Sequence, residues 1–283
     1  MKNYLALFLC VVILFSLNAC VSITISPATV PTTALTTVPT TVPSTVPTTV
    51  LTTVPTTVPT TVPTTVPTTI PTTAPSHSPL YIPGLDVEDV ITYFNEVCLD
   101  AEYSTVGSPE LIQKWSAPIF YMLNGTYTEE DIEMLTRFVD WLNNMEGFPG
   151  MEETQDPDLA NVQIYFCTYD EMPEILGERF IGCDGGVTFW YNFFDVINKA
   201  TICYCTEIDQ YVRNSVILEE IYNGLGPVQD TSLREDSLIY AGYSEPQWMT
   251  EVDELILKLL YHPQIKCSMN TEECEAVIRQ LYY

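Results

Sequence analysis

The sequence predicts an α+β domain in which a mixed β-sheet is covered by helices, preceded by a disordered Pro/Thr-rich stalk. Three observations lead there. Residues beyond Leu80 read in the order helix, strand, helix, three strands, three helices; the strand segments are rich in aromatic and β-branched residues; and a Thr-Thr-Val-Pro repeat fills the chain between an apolar N-terminus and that region.

The first helix is predicted over 86–103, because Val87, Val90, Ile91, Phe94, Val97 and Cys98 recur at helical spacing. A strand is predicted over 115–123 and includes Pro118. Thr128 with Asp131 three residues later marks the N-terminus of a second helix, whose inner stripe is Ile132, Leu135, Phe138, Val139 and Leu142. Strands follow at 161–168, 187–191 and 200–206, and helices at 211–223, 247–261 and 271–281. In the helix at 211–223, Val216, Ile217, Ile221 and Leu225 form the apolar stripe, and Gly224, Gly226 and Pro227 stop it.

Three sections of chain are distinguished. Residues 1–19 read as a signal peptide: Lys2 precedes an apolar run from Leu5 to Leu17, too short to span a bilayer comfortably. The run ends in Leu17-Asn18-Ala19-Cys20, which resembles the lipobox of bacterial lipoproteins. That resemblance implies acylation of Cys20 and anchorage to a lipid bilayer outside the cytoplasm. Residues 20–79 are the anchor and stalk. Its prolines remove backbone donors and favour polyproline II, at about 3.1 Å per residue. Residues 80–283 are the globular domain.

Charge divides the chain in the same place. All 37 acidic residues and nine of the ten basic ones lie beyond Leu80, so the domain carries a formal charge of −28. Such a domain repels phosphate backbones, because nucleic-acid binding draws on Lys and Arg clusters that displace counterions. No nucleic acid is expected as a partner. No Gly-rich phosphate loop and no G-x-S-x-G elbow occurs, so no cofactor is expected either.

Seven cysteines fall in the domain, and outside the cytoplasm disulfides are the default explanation of that density. Cys267 and Cys274, bracketing a short loop before the last helix, are the candidate pair. Cys203 and Cys205 lie two apart in a strand, so they share a face and cannot readily bond each other.

The stretch Arg213-Asn214-Ser215-Val216-Ile217-Leu218-Glu219-Glu220-Ile221-Tyr222-Asn223-Gly224-Leu225-Gly226 is the most informative. With Asp230, Ser237 to Tyr240, the helix around Leu255 to Tyr261 and the Lys114-Trp115 pair, it resembles the domain of unknown function 2927 family of exported bacterial proteins and lipoproteins. The departures are Asn223, where that family usually has Gln, and His262, where it usually has Asp. The same helix is more distantly similar to a degenerate zincin metallopeptidase motif, H-E-x-x-H-x-x-G-x-x-H. Aligned on it, Glu220 holds the general-base position and Gly226 the turn, while Glu219, Asn223 and Gln229 stand where the zinc ligands would be.

That resemblance implies a zincin-like fold with Glu220 as the candidate catalytic acid and Glu219, Asn223, Gln229 and Asp230 around a cleft. It leaves no zinc site. Zinc lowers the pKa of bound water from about 15.7 to about 7, and a Glu with pKa about 4.3 cannot replace that activation. The domain's single His, His262, follows a helix and reads as a partner of its C-terminus. Glu219 and Glu220 are consecutive and point about 100° apart, which argues against a shared-proton pair.

Three functions remain in view. The first is a non-catalytic, surface-anchored binding or envelope-associated module for a protein, peptide or glycan. The second is a secreted hydrolase using a non-zinc cation held by the oxygens of Glu219, Asn223, Gln229 and Asp230. The third is a structural spacer, which requires side chains to fill the space around Glu220.

Overall fold

The computed structural model describes the backbone of Cys20–Ile25 and residues 78–99 and 111–283. The signal segment and the Thr/Pro repeat lie outside the described residues, as does the predicted extension of the first helix to Tyr103. Among the described residues no helix is long and apolar enough to cross a membrane.

The protein is α+β, with a seven-stranded, mostly parallel sheet flanked by helices. The strands are β1 (Cys20–Ile25), β2 (Lys114–Trp115), β3 (Ile119–Gly125), β4 (Met151–Glu153), β5 (Val162–Cys167), β6 (Gly185–Tyr191) and β7 (Val196–Cys205). Their order is β1-β6-β7-β5-β3-β4, with β2 paired to the start of β7. Only the β6–β7 hairpin is antiparallel.

The helices are α1 (Val87–Leu99), α2 (Glu129–Asn143), α3 (Met172–Leu176), α4 (Gln210–Gly224), α5 (Glu251–Leu260) and α6 (Thr271–Tyr282), with a 3₁₀ turn at Glu178–Phe180. Thr128 and Asp131 form the expected capping box at α2. The single strand predicted over 115–123 is two strands, because Pro118 has no N–H to continue a ladder. Cys20–Ile25, read from sequence as the start of the stalk, is an edge strand. This segment has no proline, and Val21, Ile23 and Ile25 are β-branched, so nothing interrupts pairing with Gly186–Tyr191.

Alternation along the strands sorts the core onto two faces. Val162, Ile164 and Phe166 of β5 and Ala200, Ile202 and Tyr204 of β7 join the large core shared with α1, α2, α4, α5 and α6. Cys167, Cys203 and Cys205 point the other way, into a small cluster closed by Met172 and Phe180. Consecutive glycines permit close approach on both faces: a Cβ on Gly186 would meet the Phe180 ring at 2.5 Å, and one on Gly185 would meet Val216 Cγ1 at 2.4 Å.

Short contacts fasten the helix ends. Trp115 Nε1 donates to Gly224 O (2.9 Å) and Tyr261 Oη to Leu225 O (2.8 Å), satisfying carbonyls that α4 leaves without intrahelical partners. Lys114 Nζ donates to Leu260 O and Ile265 O, both at 2.6 Å, so a cation sits at the C-terminus of α5. After α4 the chain turns at Gly226, whose φ is +127° and where a Cβ would lie 2.4 Å from Gln113 O. Gly226→Ala is expected to cost roughly 2–4 kcal/mol, read as a lower urea midpoint with an unchanged slope. At the far end, Tyr282 Oη donates to Ile82 O and Leu85 O, and Ser78 Oγ donates to Leu281 O.

Candidate functional site

Helix α4 carries the residues singled out by sequence, and it is enclosed nearly all round. It packs on β6 and β7 on one side and on α2 on another. Every residue from Arg213 to Gly224 except Glu219 is buried. Glu220 and Asn223 are both 0% exposed. The Glu220 side chain lies over β6 where Gly185 makes room: a Cβ there would be 2.9 Å from Glu220 Cγ and 2.9 Å from Oε1. Neither amide atom of Asn223 has a hydrogen-bond partner among the described residues.

The other expected residues are dispersed. Glu219 is half-buried and lines a narrow cleft of about 30 Å³ with Asp184, Gly185, Ser215, Val216 and Tyr240. Gln229 and Asp230 lie beyond the helix, where the Gln229 backbone donates to Val97 O (3.3 Å) and its Nε2 to Asp230 O (3.2 Å). Neither lines the Glu219 cleft. Gln229 and Asp230 thus sit apart from the cleft that Glu219 lines. Among the described residues no group of three or more His, Cys, Asp or Glu side chains is placed to hold a metal ion. The Nδ1 of His262 accepts from Gln264 N (3.2 Å) in the turn after α5.

Asp184, which sequence reasoning missed, is the second acid of the small cleft. Burial raises its pKa, opposed by the hydrogen bond that Tyr169 Oη donates to it. A volume of about 30 Å³ is well below the roughly 300–1,000 Å³ of ordinary ligand pockets. Gly185→Ala should press on both Val216 and Glu220. The expected cost is about 1–3 kcal/mol, seen as a melting temperature lower by roughly 3–10 °C in circular dichroism.

A larger concavity lies elsewhere. A cleft of about 700 Å³ is lined by Lys114, Trp115, Phe194, Tyr261, Lys266 and Cys267 among others. Burial pushes Lys114 down to about 8, partly offset by the neighbouring Cys267 and Cys274. At the rim, the turn between β6 and β7 presents Phe193 and Phe194, 94% and 68% exposed. Their rings meet edge to face with centroids 5.5 Å apart. The signal for this surface was present in sequence as Phe-Phe in a hairpin turn, where side chains have no core to enter.

All seven domain cysteines are thiols. The bridge expected between Cys267 and Cys274 is not made: the Cys267 thiol instead donates to Lys114 O (3.6 Å), and Cys274 is buried.

A mostly parallel sheet under a layer of helices, with an enclosed acidic helix and an acidic surface, defines a class of α+β domains rather than an activity. The chain belongs to the family described as protein of unknown function (DUF2927), whose model matches residues 87–280. No curated protein matches the chain.

Proposed function

We propose that this chain is a secreted lipoprotein, held at a membrane through acylated Cys20, whose domain is a non-catalytic binding module for a protein, peptide or glycan of the envelope. The observation that carries the binding role is the pair of exposed phenylalanines, Phe193 and Phe194, at the rim of the 700 Å³ cleft. Neighbouring exposed aromatics beside a concavity are what a partner buries. The complete enclosure of Glu220 supports a non-catalytic reading, because an acid with no exposed atom meets no substrate. A zincin ancestry rests on the sequence pattern of Glu220 and Gly226.

Two measurements test the two halves. Produced in a bacterium that matures lipoproteins, the full chain should incorporate labelled palmitate and partition into detergent, whereas Cys20→Ser should do neither. A Cys20 that takes no label ends the anchor role. Immobilised protein should retain envelope peptides or glycans about tenfold better than the Phe193→Ser/Phe194→Ser variant of equal melting temperature. Equal retention ends the binding role.

A further inference from the structure

The 700 Å³ cleft beside Phe193 and Phe194 differs from the rest of the domain in charge. Lys114 and Lys266 line it and no Asp or Glu does, although acids outnumber bases 37 to nine beyond Leu80. The concavity along α2, by contrast, is lined by Glu129, Glu133 and Asp140, and the narrow cleft by Asp184 and Glu219. Most polar atoms of the walls are already committed. Trp115 Nε1 and Tyr261 Oη donate to the end of α4, so both rings offer the cleft apolar surface. The Cys267 thiol donates to Lys114 O, and Ser268 Oγ donates to Asp195 Oδ2 (2.5 Å). Lys114, 8% exposed, uses two of its three N–H donors on Leu260 O and Ile265 O, and the third has no partner among the described residues. Lys266 is exposed and forms no ion pair among the described residues.

Resting on the binding role proposed above, we infer that this cleft holds the C-terminus of a peptide, with its carboxylate on the Lys114 and Lys266 ammonium groups and its last apolar side chain against Trp115, Tyr261 and Phe194. An ammonium donates and never accepts, so the ligand must bring acceptors, and two positive charges favour an anionic one. Charge also selects a peptide end over an acidic glycan. A terminal carboxylate brings one charge at the tip of a chain. A polyanion would lay many charges across a domain of formal charge −28, where salt at physiological strength screens only beyond about 8 Å. The volume of about 700 Å³ lies within the roughly 300–1,000 Å³ that encloses a compact ligand, so the end of a chain fits where a folded partner does not.

The test uses the immobilised full chain and N-acetylated hexapeptides of mixed sequence ending in Leu, Phe or Val, made once as free acids and once as C-terminal amides. The free acids should be retained about tenfold better, because only they place charge-assisted hydrogen bonds on the ammonium groups. Lys266→Glu, a change at an exposed position between α5 and α6, should keep the melting temperature and bring the acids down to the level of the amides. Equal retention of acids and amides overturns the assignment, as does retention that Lys266→Glu leaves unchanged. Retention of polygalacturonate in place of the peptides, or of no probe at all, overturns it too. The comparison of envelope retention by the parent and by Phe193→Ser/Phe194→Ser is independent of all these outcomes, so the binding role stands or falls separately.

Discussion

Replacing Asp253 by alanine is expected to destabilise the domain by about 4–6 kcal/mol, enough to unfold a large fraction of molecules if its stability is ordinary. The carboxylate is 0% exposed, and among the described residues no Lys or Arg forms an ion pair with it. It is held instead by five donors. Tyr93 Oη (3.0 Å) and Ser237 Oγ (2.8 Å) reach Oδ1, and Leu238 N (3.1 Å), Thr250 N (2.9 Å) and Thr250 Oγ1 (2.9 Å) reach Oδ2. Alanine removes the α5 capping box and strands three buried donors from other parts of the chain, each worth about 1–3 kcal/mol when unsatisfied. Asp253→Asn, which keeps one acceptor oxygen, should lose roughly half as much. Glu251→Ala, exposed on the same turn, should stay within about 0.5 kcal/mol of the parent. Urea unfolding followed by tryptophan fluorescence separates the three. A loss below about 1 kcal/mol for Asp253→Ala would remove the hub from the account of stability.

The second large effect is at the joint between α2 and α4. Arg213 Nε donates to Asp131 Oδ1 at 2.8 Å, with side chains 6% and 0% exposed. Gln210 Nε2 donates to the same oxygen at 2.7 Å, and Thr128 N closes the cap on Oδ2 at 2.7 Å. Asp131→Ala leaves a guanidinium enclosed without its carboxylate, for an expected cost of about 3–5 kcal/mol. The double replacement Asp131→Leu/Arg213→Met should recover most of that loss, because it removes both desolvated charges together. If the double variant is no better than the single, the cost comes from packing instead.

The pH dependence of that joint has a definite sign. Burial raises the pKa of Asp131, but Arg213, Thr128 and Gln210 together hold it below the usual carboxylate value. The unfolded chain therefore binds the proton first as pH falls. The contribution is present above the unfolded value of about 4 and is lost as pH drops through the lower folded value. The gap in stability between the parent and Asp131→Asn should narrow across that acid window and be constant from about pH 6 upward.

Much of the fold was legible because several helices announce themselves at their ends. Thr128 with Asp131 fixed the start of α2, and Thr250 with Asp253 carries the same spacing, which would have placed α5 at Glu251 rather than Gln247. The strands β5, β6 and β7 were found from β-branched and aromatic runs. Elements of three or five residues, such as β4 and α3, carry too little pattern to register. The burial of the candidate residues was illegible for a different reason. Periodicity assigns charged and amide side chains to solvent, whereas α4 is covered by the sheet and by α2, so Glu220 and Asn223 point into protein. Only contacts between distant segments reveal that, as they reveal why Lys114 and Trp115 sit side by side: each supplies a donor to the end of a different helix.

The bonds that Tyr282 and Leu281 make with Ser78, Ile82 and Leu85 bring together positions about 200 apart in the chain. A growing polypeptide cannot make those bonds until Tyr282 has emerged from the ribosome. The first helix thus waits for the last, and loop closure over such a span slows assembly more than it weakens the finished domain.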